Sequence, residues 1–330
     1  MIFDGNAPEA IATAVDALVA GELIGLPTET VYGLAANASD ASAVAKIFAT
    51  KGRPTDHPLI VHVADAEAVS HFVPQVPDFA QRLIDRFWPG PLTVILPRRE
   101  GVADAAAGGH PTIGLRCPSH PVAHALLRAA AERGIFGLAA PSANRFGRVS
   151  PTSAAHVADE FGDTLLVLDG GPCSVGIESA IIDCTRGAPV VLRPGQLTRP
   201  EIEQAAGTRV LSKEELEGDE PHAPGTLTAH YAPSARVRLM SAGELRAALD
   251  LLGAEAPSIA VWSRADLSSA SSRVILRRMP AEAADTAQQL FSVLREFDDH
   301  GATLIWVEAP PESAEWEGVR DRLARAAASG

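Results

Sequence analysis

Cysteine, lysine and aromatic residues are all scarce in this chain. Cys117, Cys173 and Cys184 are an odd number with no CxxC pair among them. A disulfide framework or a structural zinc site needs more, and a reducing, cytoplasmic setting is expected. Of 28 basic residues only Lys46, Lys51 and Lys213 are lysines. Cationic work therefore falls to arginine, the better bidentate partner for phosphate and carboxylate. Aromatics make up 5% of the chain against 46% hydrophobic residues, which describes small aliphatic cores in a globular protein. No apolar run reaches the ~18 residues of a membrane span. Asp4 and Glu9 stand where a signal peptide would carry positive charge. Missing too are the GxxxxGKS/T phosphate loop, GxGxxG, the GxSxG elbow and HExxH. Any bound phosphate must be held some other way. With 41 acidic residues and a net charge of −13, surface-wide attraction to nucleic acid or anionic membrane is disfavoured, while a local basic pocket remains open.

At 330 residues the chain is too long for one average core, so two domains are expected. Ile11, Ala14, Val15 and Leu18 repeat at helical spacing, with Asn6 as a cap and Gly21 as a stop. A second helix is predicted over 41–49, capped by Ser39 or Asp40, and further ones over 78–88, 121–131 and 153–160. Strands are predicted over 23–26, 59–63, 92–96, 112–116, 136–140, 165–168, 180–183 and 190–193. This alternation argues for an open α/β sheet with its functional groups on the loops. Periodicity fades after Gly207. An acidic run over 212–220 and the segment "PHAPGTLTAHYAPSA" have linker composition. The rhythm resumes with strands over 236–240, 258–262, 273–276 and 303–307 and helices over 244–252, 281–298 and 316–328. A domain over 1–208, a linker over 209–234 and a smaller domain over 235–330 are expected.

Six segments carry candidate chemistry. In "KGRP", Lys51 and Arg53 lie two apart in a Pro-punctuated stretch and could neutralise polyphosphate from one cleft; a solvated surface pair is the ordinary alternative. In "APSANRFGRVSPT", Ser142 and Asn144 follow an apolar strand, with Ser150 beyond, at the strand end where open sheets bind ligands; a turn loop explains them equally. "PTETVYGL" places Thr28, Glu29 and Thr30 after a strand, suited to a small polar substrate or to simple capping. Arg116 leaves the apolar strand of "TIGLRCP" and needs an anion if buried, either a substrate carboxylate or a structural Asp or Glu. Ser179 in "GIESAIID" and Arg193 in "VLRPG" sit at strand ends. His62 inside "LIVHV" reads as a core histidine.

Taken together, "LPTETVYGLAANA", "KGRPTDHPLIVHV", "WPGPLTVIL", "TIGLRCPSHP", "APSANRFGRVSPT", "GIESAIID" and "LRPG" resemble the YrdC-like family. "APGTLTAHYAP" and the α/β tail resemble its long two-domain members, the threonylcarbamoyl-AMP synthases. The resemblance implies a twisted mixed sheet with flanking helices around a concave cationic cavity, followed by a smaller Rossmann-like α/β domain. It implies condensation of L-threonine, bicarbonate and ATP into threonylcarbamoyl-AMP, with pyrophosphate released and magnesium travelling on ATP. The product would pass to the tRNA threonylcarbamoyl transferase machinery for modification next to the anticodon, with at most a weak tRNA contact and no membrane. Carried over by motif position, Lys51 and Arg53 are catalytic. Arg53, His57, Thr112, Ser142, Asn144, Ser150, Arg193 and Tyr231 contact ATP. Thr30, His62, Arg116, Ala140 through its backbone, and Ser179 contact threonine. His57 stands where the family usually has Asn, Ala180 where it has Thr, and Thr226 and Ala229 where it often has Lys or Arg. The interdomain segment folds over the cavity in the family.

Two rivals are weaker. An O-carbamoyltransferase of the hydrogenase-maturation type carries zinc-finger cysteines that this chain lacks. A double-stranded RNA-binding or ribosome-assembly module is opposed by the net charge and by the absence of interleaved aromatics.

Overall fold

The computed structural model describes residues 1–212, 215, 223–225 and 230–329. Half of the expected linker, including Thr226 and Ala229, lies outside the described residues. The chain forms two compact units, Met1–Phe146 with Ser150–Thr226, and Gly147–Val149 with Leu227–Gly330.

In the large unit the described strands are β1 (Ile2–Asp4), β2 (Ile24–Leu26), β3 (Gly33–Asn37), β4 (Ile60–His62), β5 (Leu92–Pro97), β6 (Thr112–Arg116), β7 (Leu138–Ala139), β8 (Leu166–Asp169), β9 (Ala180–Asp183), β10 (Val190–Arg193) and β11 (Leu211–Ser212). They form one mixed sheet in the order β1-β8-β2-β3-β7-β4-β6-β5-β9-β10-β11. Its flanking helices are α1 (Pro8–Val19), α2 (Ala41–Lys51), α3 (Val69–Phe72), α4 (Asp78–Phe87), α5 (Pro121–Glu132), α6 (Ala154–Phe161) and α7 (Arg199–Ala206). Leu18, Ile24, Leu126 and Leu138 pack with α1 and α5 on one side. Leu34, Ile47, Val61, Leu83 and Leu115 pack with α2 and α4 in the main core. Burying such side chains contributes roughly 1.5–3 kcal/mol each.

Four differences from the sequence-based expectations have physical causes. Pro8 opens α1 behind Ala7, and Asn6 does not cap it; its amide side chain donates to Asp4 Oδ1 at 3.1 Å instead. Helix α2 runs through Lys51 and stops where Gly52 adopts φ 63°, a left-handed cap favoured by glycine. Lys51 thus belongs to a helix's last turn and not to an irregular stretch. Its start follows expectation, since Asp40 accepts from the amides of Ser42 and Ala43. Strand β3, "GLAAN", carries little β propensity and forms because it pairs antiparallel with β2 and β7. Strand β11 adds residues past 208 to the large sheet by pairing parallel to β10.

The small unit is a parallel sheet of β12 (Arg236–Met240), β13 (Ile259–Ser263), β14 (Val274–Arg278) and β15 (Leu304–Glu308), in the order β12-β15-β13-β14. Helices α8 (Ala242–Leu252), α9 (Ala283–Asp299) and α10 (Glu317–Ala327) connect and follow these strands. A capping box between Ser241 and Glu244 fixes the start of α8. Among the described residues no helix is long and apolar enough to cross a membrane.

Candidate active site

Helix α2 delivers Lys51 to the Ser142–Asn144 loop. Its ammonium donates to the carbonyl of Ser142 at 2.5 Å and to that of Asn144. The Phe146 amide donates back to the Lys51 carbonyl at 2.9 Å. Arg53 donates to the Pro58 carbonyl at 3.1 Å and lies over the Phe146 ring, 5.8 Å from its centre. The His57 ring meets the same phenyl edge-on at 5.7 Å. Lys51, Arg53, Ser142, Asn144 and His57, scattered over about a hundred residues of sequence, are therefore brought to one place. Lys51 is buried, and burial pushes its pKa down to about 7, with the Arg53 charge adding to the effect and Glu160 and Glu178 opposing it. Phe146 was not anticipated; an aromatic two residues after Asn144 is the only signal it left.

Ser150 is buried and donates to Glu178 Oε1 at 2.5 Å. With its single proton so committed, the hydroxyl can only accept from any further partner. Glu178, beside Ser179 in "GIES", was likewise missed.

Arg193, at the end of β10, donates through Nε to the Ser179 carbonyl at 3.1 Å and through Nη2 to its hydroxyl at 3.3 Å. Nη1 donates to the Pro224 carbonyl at 2.9 Å. Thr93 on β5, a further missed residue, shares a 2.8 Å hydrogen bond with the Ser179 hydroxyl. Gly195 lets this turn lie against β9, because a Cβ there would stand 2.4 Å from the Ala180 nitrogen. Arg193 from the expected nucleotide set and Ser179 from the expected amino-acid set are thus in direct contact. Thr112 lines a small crevice with Pro58, Ile60, Thr93, Gly114, Ile181 and Pro224, whose volume of about 10 Å³ is the room of about one water.

Arg116 and His62 are register partners on the parallel strands β6 and β4. Arg116 donates to the Thr30 hydroxyl at 2.8 Å and to the Gly90 carbonyl at 3.3 Å. Thr30 in turn shares a 2.9 Å bond with Thr28, whose hydroxyl donates to the Val31 carbonyl. The anion that the buried Arg116 requires is Glu29, with 2.6 Å between Nη2 and Oε1. The contact is an ion pair by distance, but neither atom has hydrogen-bonding alignment with any partner among the described residues. Burial, aided by Arg116, pushes His62 down to about 3, so its imidazole is neutral, and its Nδ1 has no hydrogen-bond partner among the described residues. The Ala140 amide donates to the Ile60 carbonyl, which leaves its carbonyl as the backbone atom a ligand could meet.

Tyr231 belongs to the small unit. It is buried at φ 61°, 5.4 Å from the Phe291 ring, with the Arg322 guanidinium over its face. All three cysteines are buried thiols outside any disulfide. Among the described residues no group of three His, Cys, Asp or Glu side chains is placed to hold a metal ion.

Two family models divide the chain. Sua5_yciO_yrdC, described as telomere recombination, matches residues 16–195, and the threonylcarbamoyl-AMP synthase C-terminal domain matches residues 197–328. The threonylcarbamoyl-AMP synthase of Pyrococcus abyssi is 40% identical, covering 93% of this chain and 90% of that protein. The one from Bacillus subtilis is 37% identical, covering 98% and 94%. The crystal structure of P. abyssi Sua5 complexed with L-threonine superposes with a TM-score of 0.88 at 35% identity, over 100% of this chain and 98% of that one. These matches and the clustered motifs place the chain in the threonylcarbamoyl-AMP synthase family.

Proposed function

We propose that this chain condenses L-threonine, bicarbonate and ATP into threonylcarbamoyl-AMP and pyrophosphate. The observation that carries the reading is the Lys51 ammonium bound to the Ser142 loop, with Arg53 alongside. This gathers two cations and a hydroxyl–amide loop where a triphosphate needs them. The threonine α-ammonium and bicarbonate give an N-carboxylate, water and a proton. A carboxylate oxygen then bonds to the α-phosphorus as the bond to the pyrophosphate oxygen breaks. One anion attacks another, so positioning and countercharge dominate.

In this reading Lys51 and Arg53 supply that countercharge, with His57, Ser142, Asn144, Ser150 and Arg193 around the nucleotide. Thr112 and, by its motif position, Tyr231 are assigned to the nucleotide as well. Arg116, Thr30, His62, Ser179 and the Ala140 backbone hold threonine. The Arg193–Ser179 contact supports a reading in which the two substrates lie side by side. Magnesium, for which the described residues offer no cage of their own, would arrive on the ATP phosphates and add countercharge there. Discrimination against serine rests on one methyl group, which apolar contact separates by about 1–3 kcal/mol. We place the reaction in the cytoplasm, with the product passed to a tRNA threonylcarbamoyl transferase.

Pyrophosphate release with each substrate omitted in turn tests the reading. Release that needs ATP, bicarbonate and threonine together supports it, and release indifferent to threonine rejects it.

A further inference from the structure

Glu29 is a buried charge that the reaction above leaves unused. It is 5% exposed, sits between two buried threonines, and faces Arg116 at 2.6 Å. Yet neither of its carboxylate oxygens has an aligned hydrogen bond. An ionised carboxylate has about four acceptor positions, and burying it with those unfilled is costly. The neighbouring Arg116 spends Nη1 on Thr30 and Nε on Gly90, while its Nη2 is unaligned as well. The pair is thus electrically neutral but has unmet donors on one side and unmet acceptors on the other.

The head group of an α-amino acid is the complement of such a pair. Its ammonium brings three N–H donors, its carboxylate brings acceptors, and both hang from one carbon at a spacing close to that of the two protein charges. A simple acid would satisfy Arg116 and leave Glu29 buried with no donor. We propose that Glu29 receives the substrate's α-ammonium while Arg116 takes its carboxylate. Glu29 is then the residue that positions the amine for carboxylation and restricts the site to α-amino acids. The inference rests on the threonine-binding reading above and extends it to a residue which that reading did not use.

Calorimetric titration with L-threonine and with its deamino analogue, 3-hydroxybutanoate, tests it on the unaltered chain and on Glu29→Gln. The unaltered chain should bind the analogue at least tenfold more weakly than threonine, the scale of a lost charged hydrogen bond. Glu29→Gln should lose a similar factor for threonine, keep its affinity for the analogue within about twofold, and raise the threonine KM while leaving the ATP KM unchanged. Equal losses on both ligands would mean that Glu29 only steadies Arg116, and would overturn the proposal. So would an analogue that binds the unaltered chain as well as threonine does, an outcome that stands even where Glu29→Gln fails to fold. An unaltered chain that binds no threonine overturns the functional reading itself, and that result is distinct from either of the others.

Discussion

The ammonium of Lys51 is held 2.5 Å from the carbonyl oxygen of Ser142, so the last turn of α2 and the Ser142–Asn144 loop form one unit. In the proposed reading Lys51 both organises the loop and presents charge, and Arg53 donates to the Pro58 carbonyl and lies over the Phe146 ring. Replacing Arg53 with alanine should lower the rate of pyrophosphate release about 100- to 1000-fold with little change in melting temperature, the scale of losing one transition-state donor. Lys51→Ala should lose at least as much activity and also melt earlier. Release assays and thermal unfolding of both variants check this, and near-normal release in either contradicts the role given to it.

The protonation of Lys51 predicts a pH signature. Its pKa falls from 10.5 to about 7 on folding, so between those values the unfolded chain binds more protons than the folded one. Raising the pH through that window removes the cost of burying the charge, and stability should rise with it. Bound triphosphate favours the charged amine and should raise the pKa again. ATP binding near pH 8 is therefore expected to take up close to one proton, as read by calorimetry in buffers of different ionisation enthalpy. Lys51→Met should abolish the uptake.

Gly195 is predicted to tolerate no side chain. A Cβ would press on the Ser179–Ala180 backbone, 2.4 Å from the Ala180 nitrogen, and would push Ser179 from Thr93 and Arg193. Gly195→Ala should destabilise the large unit by about 1–3 kcal/mol and raise the threonine KM. An unchanged melting curve and KM would show that the turn can give way.

The thiols should be silent in the native protein. Burial pushes Cys117 up to about 12, and Cys173 and Cys184 upward as well. Cys117, Cys173 and Cys184 should therefore react with Ellman's reagent only after unfolding. Fast reaction of any one in the folded chain would contradict the burial described for it.

Much of this fold was legible in the sequence, and the exceptions share a cause. Strands β6, β9, β10 and β12 begin and end where expected, because β-branched runs there are bounded by Pro, Gly, Ser or charge. Strand β3 was invisible, since only its neighbours in the sheet make Gly-Leu-Ala-Ala-Asn extended. Lys51 read as part of a loop because the pattern "KGRP" looks like punctuation, although Gly52 is the cap of a helix that includes the lysine. In the site, residue types that emerge from strand ends could be picked out one by one. Their partners could not. The Glu29–Arg116 pair and the bonds Ser150–Glu178 and Thr93–Ser179 join segments far apart in sequence, and nothing local in the chain announces them.

The most direct test of the central claim follows the carbon. The chain would be supplied with ATP, L-threonine and carbon-13 bicarbonate, and its product weighed by mass spectrometry. The account predicts an adenylate that contains threonine and one labelled carbon, formed in step with pyrophosphate. An adenylate without the label, or labelled carbamate with no adenylate, would contradict it.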